Sequence, residues 1–214
     1  MLAPFLPSYG PQPGPFTLHR AVEMVVALLL TDNVPTPAHV CGRSLGALVA
    51  MEPARLHPEL VRTLALSAGF ITIPDELQAA REASAEALRS FGPDVFSQQV
   101  LPSLTVDVPE AYRAQALVDI SGLSRESVAG LIAMKFDASE WVDELVMPVL
   151  ALCGERGDIS LPLSRELADS LPKGQFEVIP EAAHVANLDA PDASPNITLE
   201  PNRSLPNRWQ VPHL

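Results

Sequence analysis

The chain has 214 residues and a formal net charge of −12, from 26 acidic and 14 basic side chains. With no stripe of Lys and Arg, this acidic balance excludes nucleic acid as an expected partner. Hydrophobic residues make up 47% of the chain, which predicts a folded core. The longest apolar run, residues 24–30, is far shorter than the roughly 20 residues that span a bilayer. No secretory leader pattern opens the chain, so we expect a cytoplasmic protein without a membrane partner.

The histidines and cysteines show no spacing that would hold a metal ion. Cys41 and Cys153 lie in apolar runs without a CxxC pair, so we expect two buried small hydrophobic side chains in a reducing compartment. Zinc-type spacing is not seen among the five histidines, at positions 19, 39, 57, 184 and 213. We therefore expect neither a metal nor a cofactor.

The first third of the chain alternates between helical and strand-like patterns. Thr17 can cap a helix that continues to about Leu30 on a broad apolar face. The apolar run 39–41 is then cut by glycine, which predicts a buried strand ending in a sharp turn. A helical pattern follows over 45–56, and Pro53 is expected to kink that helix or end it early. Val61 to Ser67 is the next strand-like run.

The middle of the chain reads differently. It holds amphipathic helical segments with few strand-like runs, around 76–91, 93–101, 109–120 and 124–135. Strand patterns return at 149–153 and 176–179, with a helix over about 163–171 between them. Fully apolar strands that alternate with helices predict a parallel sheet covered on both faces.

These patterns predict an α/β fold in three parts. The core is formed by 1–74 together with 144–190, and the helical block 75–143 is inserted between two strands as a lid. Five prolines punctuate the polar tail 191–214, which we expect to be disordered.

Residues 42–46 read Gly-Arg-Ser-Leu-Gly, a G-x-S-x-G motif between a predicted strand and a predicted helix. This setting is typical of a nucleophilic serine on a tight strand-to-helix turn. Gly42 and Gly46 fit the turn because strand and helix approach too closely there for side chains. The helix start also favours the negative charge that develops in acyl transfer. Ser44 is therefore the candidate nucleophile.

A nucleophilic serine needs a base, and the base needs an acid that orients it. Asp158 lies just after the strand at 149–153, and His184 lies a few residues after the strand at 176–179. Parallel sheets place their sites at the carboxyl ends of strands, so these side chains are expected to meet Ser44. Glu155 remains the alternative acid.

The chain order Ser44, Asp158, His184 resembles that of the α/β-hydrolase superfamily. Residues 35–69 resemble its nucleophile-elbow region, and residues 148–191 resemble the end of the fold that carries the acid and the histidine. Within the superfamily, the resemblance is to the esterase, lactonase and cofactor-free peroxidase branch, whose members carry a helical lid.

This resemblance implies a role for each candidate residue. Ser44 would be the nucleophile, His184 the general base and Asp158 the acid that orients it, while the Leu45 N–H would donate to the oxyanion. The implied reaction is hydrolysis of a small-molecule carboxylic ester, lactone or similar acyl bond through an acyl-serine intermediate.

The chain also departs from the family pattern. Family members carry further strands and an H-G loop upstream, and that loop supplies the second oxyanion donor. We therefore expect an N-terminally truncated fold with family strands 5-6-7-8 alone, in which the elbow strand is a sheet edge. Because an apolar edge invites pairing, we expect the chain either to be poorly stable alone or to self-associate through the strand around Val40. The alternative to an enzyme is a catalytically silent fragment or pseudoenzyme of the same fold.

Overall fold

The computed structural model describes residues 2–4, 6–7, 16–92, 125–157 and 159–190. These ranges contain one sheet of four strands in the order β1-β2-β3-β4, and every neighbouring pair is parallel. The strands are β1 Ala38–Arg43, β2 Val61–Ser67, β3 Val149–Gly154 and β4 Gly174–Ile179. The sheet confirms the predicted fold class. The tail 191–214, predicted to be disordered, lies outside the described residues.

Helices connect the strands. They are α1 Leu18–Leu29, α2 Leu45–Leu56, α3 Asp75–Phe91, α4 Arg125–Ala133, α5 Ser160–Ser170 and α6 Ala186–Asp189, with short 3₁₀ turns at Pro58–Leu60 and Val142–Glu144. As predicted, the Thr17 side chain caps α1, accepting a hydrogen bond from Arg20 N at 3.2 Å.

Helix α2 has the predicted bounds, Leu45–Leu56. Of the two effects expected of Pro53, an early end does not occur, because the helix continues past it to Leu56. Pro53 lacks an N–H, so the helix loses one backbone hydrogen bond there. Its ring is fully buried, as are Leu48 and Met51 on the same helix. Burying a large apolar side chain contributes roughly 1.5–3 kcal/mol, so packing of α2 against the sheet offsets the lost bond.

Two hydrophobic clusters lie on opposite faces of the sheet. The larger joins β2 and β3 to α1, α2 and α5, with Leu64 and Val149 fully buried at its centre. The smaller contains Leu150 and Leu152 of β3 together with Ile179, the last residue of β4, and the segment around α6. Because side chains alternate along a strand, adjacent residues of β3 belong to different clusters.

Strand β1 is the edge of this sheet within the described residues, as predicted. Its residues alternate between more and less exposed positions, whereas all six residues of β3 are buried. Cys41 is consequently exposed, while Cys153 in the sheet interior is buried. The prediction that both thiols are buried was therefore wrong for Cys41, because an apolar run at a sheet edge has one uncovered side.

Helices α3 and α4 pack against each other beside the main core. They share a cluster of their own, with Ala85, Leu88, Val128 and Ala129 at its centre. The chain leaves and re-enters the core at one place, where Thr72 forms an antiparallel bridge with Asp137 and Ala138 N donates to Ile71 O at 2.9 Å. The lid assignment for 75–143 stays a prediction, and the helices predicted at 93–101 and 109–120 lie outside the described residues.

Candidate active site

Ser44 occupies a sharp turn between β1 and α2. Its φ of 51° and ψ of −117° are unusual for a residue with a side chain, and such strain is commonly found at functional sites. Hydrogen bonds on both sides fix the turn: Ser44 N donates to Ser67 O at 2.8 Å, and Ala47 N donates to Ser44 O at 2.9 Å. The backbone of Ser44 therefore continues the β1–β2 ladder and starts the helix at once.

The glycines on either side of this turn are not equivalent. A Cβ at Gly42 would lie 2.2 Å from Gly46 O, which is far inside van der Waals contact. A Cβ at Gly46 would meet no described atom within 4 Å beyond its immediate chain and helix neighbours. Close approach of the backbone therefore requires glycine at position 42, whereas position 46 has room for a small side chain.

The His184 side chain meets Ser44 across the carboxyl end of the sheet. Its Nε2 lies 3.0 Å from Ser44 Oγ, although the two residues are 140 positions apart in sequence. The histidine follows β4 in a loop that presses against the end of β3, where a Cβ at Gly154 would lie 2.1 Å from Ala183 O. A hydrogen bond to α6 also holds this loop, because Ala183 N donates to Asp189 Oδ2 at 2.8 Å.

The electrostatic environment keeps His184 uncharged. Burial is the main cause of its low pKa, which lies at about 4, and the positive charges of Arg43 and Arg81 lower that pKa as well. At neutral pH the imidazole is therefore neutral. A neutral ring with its proton on Nδ1 accepts the Ser44 hydroxyl hydrogen at Nε2, which is the arrangement a general base needs.

The loop after β3 carries the two candidate acids. Asp158 lies outside the described residues. Glu155, the alternative, is exposed, and its Oε2 accepts a hydrogen bond from Glu181 N at 3.0 Å. Arg156 N donates to Ala182 O at 2.8 Å, and the Arg156 side chain pairs with Glu181. The described part of this loop thus holds the loop of His184 in place.

Sequence analysis missed two arginines near this pair. Arg43 directly precedes Ser44, and Arg81 lies on α3; both influence the charge state of His184. The position of Arg43 inside the G-x-S-x-G motif was a usable signal, because any residue there is next to the candidate nucleophile. Nothing local marks Arg81, since its effect on His184 depends on where the fold places α3.

The described ranges contain neither a metal-binding cluster nor a membrane-spanning helix. No group of three or more His, Cys, Asp and Glu side chains there is arranged to hold a metal ion. No helix in the same ranges combines the length and the apolar character needed to cross a membrane.

A model of the alpha/beta hydrolase family matches residues 2–194. The chain belongs to that family. A pimeloyl-[acyl-carrier protein] methyl ester esterase of Neisseria meningitidis is 30% identical over 202 residues, which cover 88% of the chain and 63% of that relative. The corresponding esterase of Chromobacterium violaceum is 31% identical over 195 residues, covering 86% of the chain and 76% of that relative. The predicted membership of a family of hydrolytic enzymes is confirmed.

Solved structures share the fold. A thermophilic esterase from Thermogutta terrifontis superposes with a TM-score of 0.75 at 24% identity, covering 90% of this chain and 75% of that one. The enol-lactonase from Burkholderia xenovorans LB400 gives a TM-score of 0.69 at 21% identity, covering 90% of this chain and 76% of that one. At these identities the likeness establishes the architecture alone.

Proposed function

We propose that this chain is a serine hydrolase that cleaves a carboxylic ester, lactone or similar acyl bond through an acyl-Ser44 intermediate. The observation that carries the proposal is the 3.0 Å approach of His184 Nε2 to Ser44 Oγ on a strained strand-to-helix turn. The esterases among the relatives support the same class of reaction. The substrate of those relatives is not assigned to this chain.

The reaction would follow from the geometry of the pair. His184 takes the Ser44 hydroxyl proton as Oγ attacks the carbonyl carbon, and the carbonyl oxygen becomes an oxyanion. The Leu45 N–H, at the first position of α2, has no acceptor within the helix and is proposed to donate to that oxyanion. His184 then protonates the leaving alcohol, and water attacks the acyl-serine by the same route in reverse.

We assign the orienting acid to Asp158 rather than Glu155. Glu155 uses one carboxylate oxygen to hold Glu181 N, which fits a role in fixing the loop. If Asp158 orients the base, Asp158→Asn lowers kcat by several powers of ten while Glu155→Gln retains most of it. The reverse ranking of the two variants, measured with one activated ester, would give the role to Glu155.

Covalent labelling tests the central proposal. A fluorophosphonate probe should modify the folded wild-type chain at Ser44, and mass spectrometry of the labelled peptide locates the adduct. Ser44→Ala should abolish labelling, and His184→Ala should slow it strongly because the hydroxyl then lacks its base. A folded wild-type chain that takes up no probe would support the catalytically silent alternative instead.

A further inference from the structure

Two arginines near the candidate nucleophile have no acidic partner in the described ranges. Arg43 immediately precedes Ser44, and Arg81 extends from α3. Neither forms an ion pair with any described carboxylate, a property that the exposed Arg62, Arg125 and Arg165 share, whereas Arg55, Arg89 and Arg156 are paired. Among the unpaired described arginines, Arg43 is set apart by its position next to Ser44, and Arg81 by a buried guanidinium nitrogen without an acceptor.

Arg81 also has incomplete hydrogen bonding. Its Nη2 donates to Leu131 O at a long 3.4 Å, and its Nε is buried without an acceptor among the described residues. Leaving a donor of a charged group buried and unpaired costs free energy, and an anion placed at this guanidinium would remove that cost.

Both guanidiniums are partly desolvated. Arg43 is exposed as a residue, yet the surrounding protein desolvates its guanidinium enough to lower the pKa. Burial likewise lowers the pKa of Arg81. Both remain charged at neutral pH, and both lower the pKa of His184, so two positive charges from different elements act on the base of the Ser44–His184 pair. Arginine suits such a place because its planar fork binds a carboxylate through paired hydrogen bonds.

We propose that Arg43 and Arg81 bind a carboxylate carried by the substrate, so that the preferred ester or lactone is anionic close to its scissile bond. This rests on the proposed hydrolase function, and it adds a substrate class that the Ser44–His184 pair alone does not specify. The two residues would act on binding and specificity without themselves donating or accepting a proton in the reaction.

A matched pair of esters tests this substrate class. Mono-4-nitrophenyl adipate carries a free carboxylate, and its methyl ester is the neutral counterpart; nitrophenol release reports cleavage of both. The wild type should favour the anionic ester in kcat/KM. Arg43→Gln and Arg81→Gln should each reduce kcat/KM for the anionic ester by roughly ten- to a hundredfold, with a much smaller change for the neutral one.

The control is Arg89→Gln, which removes the same charge from the same helix at a residue already paired with Glu126; it should leave the preference intact. Equal kcat/KM for the two esters in the wild type would overturn the proposal. A parallel loss on both esters in Arg43→Gln and Arg81→Gln would also overturn it, by giving these residues a general catalytic or structural role.

A binding measurement separates this proposal from the proposed function. Calorimetry with adipate and the Ser44→Ala variant needs no turnover. Arg43→Gln, Arg81→Gln or the control Arg89→Gln is then combined with Ser44→Ala. Loss of adipate binding in the first two double variants, but not in the third, supports the carboxylate site even if no ester is cleaved. Absence of adipate binding to folded Ser44→Ala would count against the site, even if neutral esters are hydrolysed.

Discussion

The turn at Ser44 is strained in its backbone and sterically crowded at Gly42. The φ of 51° at Ser44 is a conformation that L-amino acids adopt at a cost of about 1–3 kcal/mol. The backbone tolerates it because Ser44 is held between the β1–β2 ladder and the first turn of α2. That anchoring depends on the close approach of Gly42 to Gly46 O.

Alanine substitutions at the two glycines should therefore differ sharply. Gly42→Ala should destabilise the fold by more than about 2 kcal/mol, since its Cβ would overlap backbone that cannot move aside. Gly46→Ala should be neutral or stabilising by up to about 1 kcal/mol, because the site is open and alanine favours helix. Urea denaturation of both variants measures the difference, and equal losses would contradict the steric explanation.

The low pKa of His184 gives the activity a characteristic pH dependence. The proposed base is active when neutral, so the acid limb of kcat/KM for a neutral ester should lie well below the ordinary histidine value of about 6.5. Arg81→Gln removes a positive charge that lowers this pKa, so its acid limb should move to higher pH by roughly half a unit to one unit. Arg89→Gln is the control and should leave the limb unchanged.

The same pKa also affects stability. The folded value of about 4 lies below the unfolded value, so the unfolded state binds more protons between these two values. This contribution to the free energy of unfolding is fully present above about pH 6.5 and is lost as pH falls towards 4. The free energy of unfolding of wild type and of His184→Gln can be measured at several pH values between 4 and 6.5. If the difference between the two proteins stays constant over this range, the pKa of His184 is not depressed.

At the scale of elements, the helix pair α3 and α4 has a hydrophobic cluster that is separate from the main core. Its own cluster contains four fully or nearly buried residues, and the side-chain bonds that link its helices include Gln78 Nε2 to Ala133 O at 3.0 Å. An element that makes most of its contacts within itself can loosen without unfolding the sheet.

Truncating Leu88 should reveal this independence. Leu88→Ala removes a side chain that is 2% exposed from the cluster between α3 and α4. The resulting cavity should destabilise this helix pair by about 2 kcal/mol or more, so amide exchange should become faster throughout both helices. Exchange in β2 and β3 should stay slow. Leu64→Ala, in the main cluster, should instead lower the stability of the whole chain, and indistinguishable exchange patterns in the two variants would refute the separation.

At the scale of the whole molecule, strand β1 is the sheet edge among the described residues, and it is the place where association with another chain is most expected. β1 has one hydrogen-bonded neighbour among the described strands, and Cys41 on it is exposed. An uncovered strand edge offers unpaired backbone groups to another chain. We propose that the 214-residue chain, produced by itself, associates through this edge or is poorly stable.

The native cysteines report on that association. If β1 strands pair, mild oxidation should give a Cys41-linked dimer that Cys41→Ser removes, while Cys153→Ser leaves it because Cys153 is buried. Cys41→Lys should reduce association in sedimentation experiments, since a charge on an edge strand discourages pairing. A monomer with a cooperative melt at a temperature ordinary for mesophile domains would disprove the proposal.

Local chemistry made much of this protein readable from its sequence. The strand–turn–helix around Ser44, the bounds of β2 and the parallel order of strands follow from apolar periodicity and from glycine sterics, both of which act within a few residues. The meeting of His184 and Ser44 was also expected, because the carboxyl ends of parallel strands share one edge of a sheet. The tertiary structure alone decided what depends on distant contacts: the 3.0 Å distance between Nε2 and Oγ of that pair, the effect of Arg81 from α3 on His184 and the exposure of Cys41. Periodicity reports which side of an element is apolar, but the neighbours that cover it or leave it open come from elsewhere in the chain.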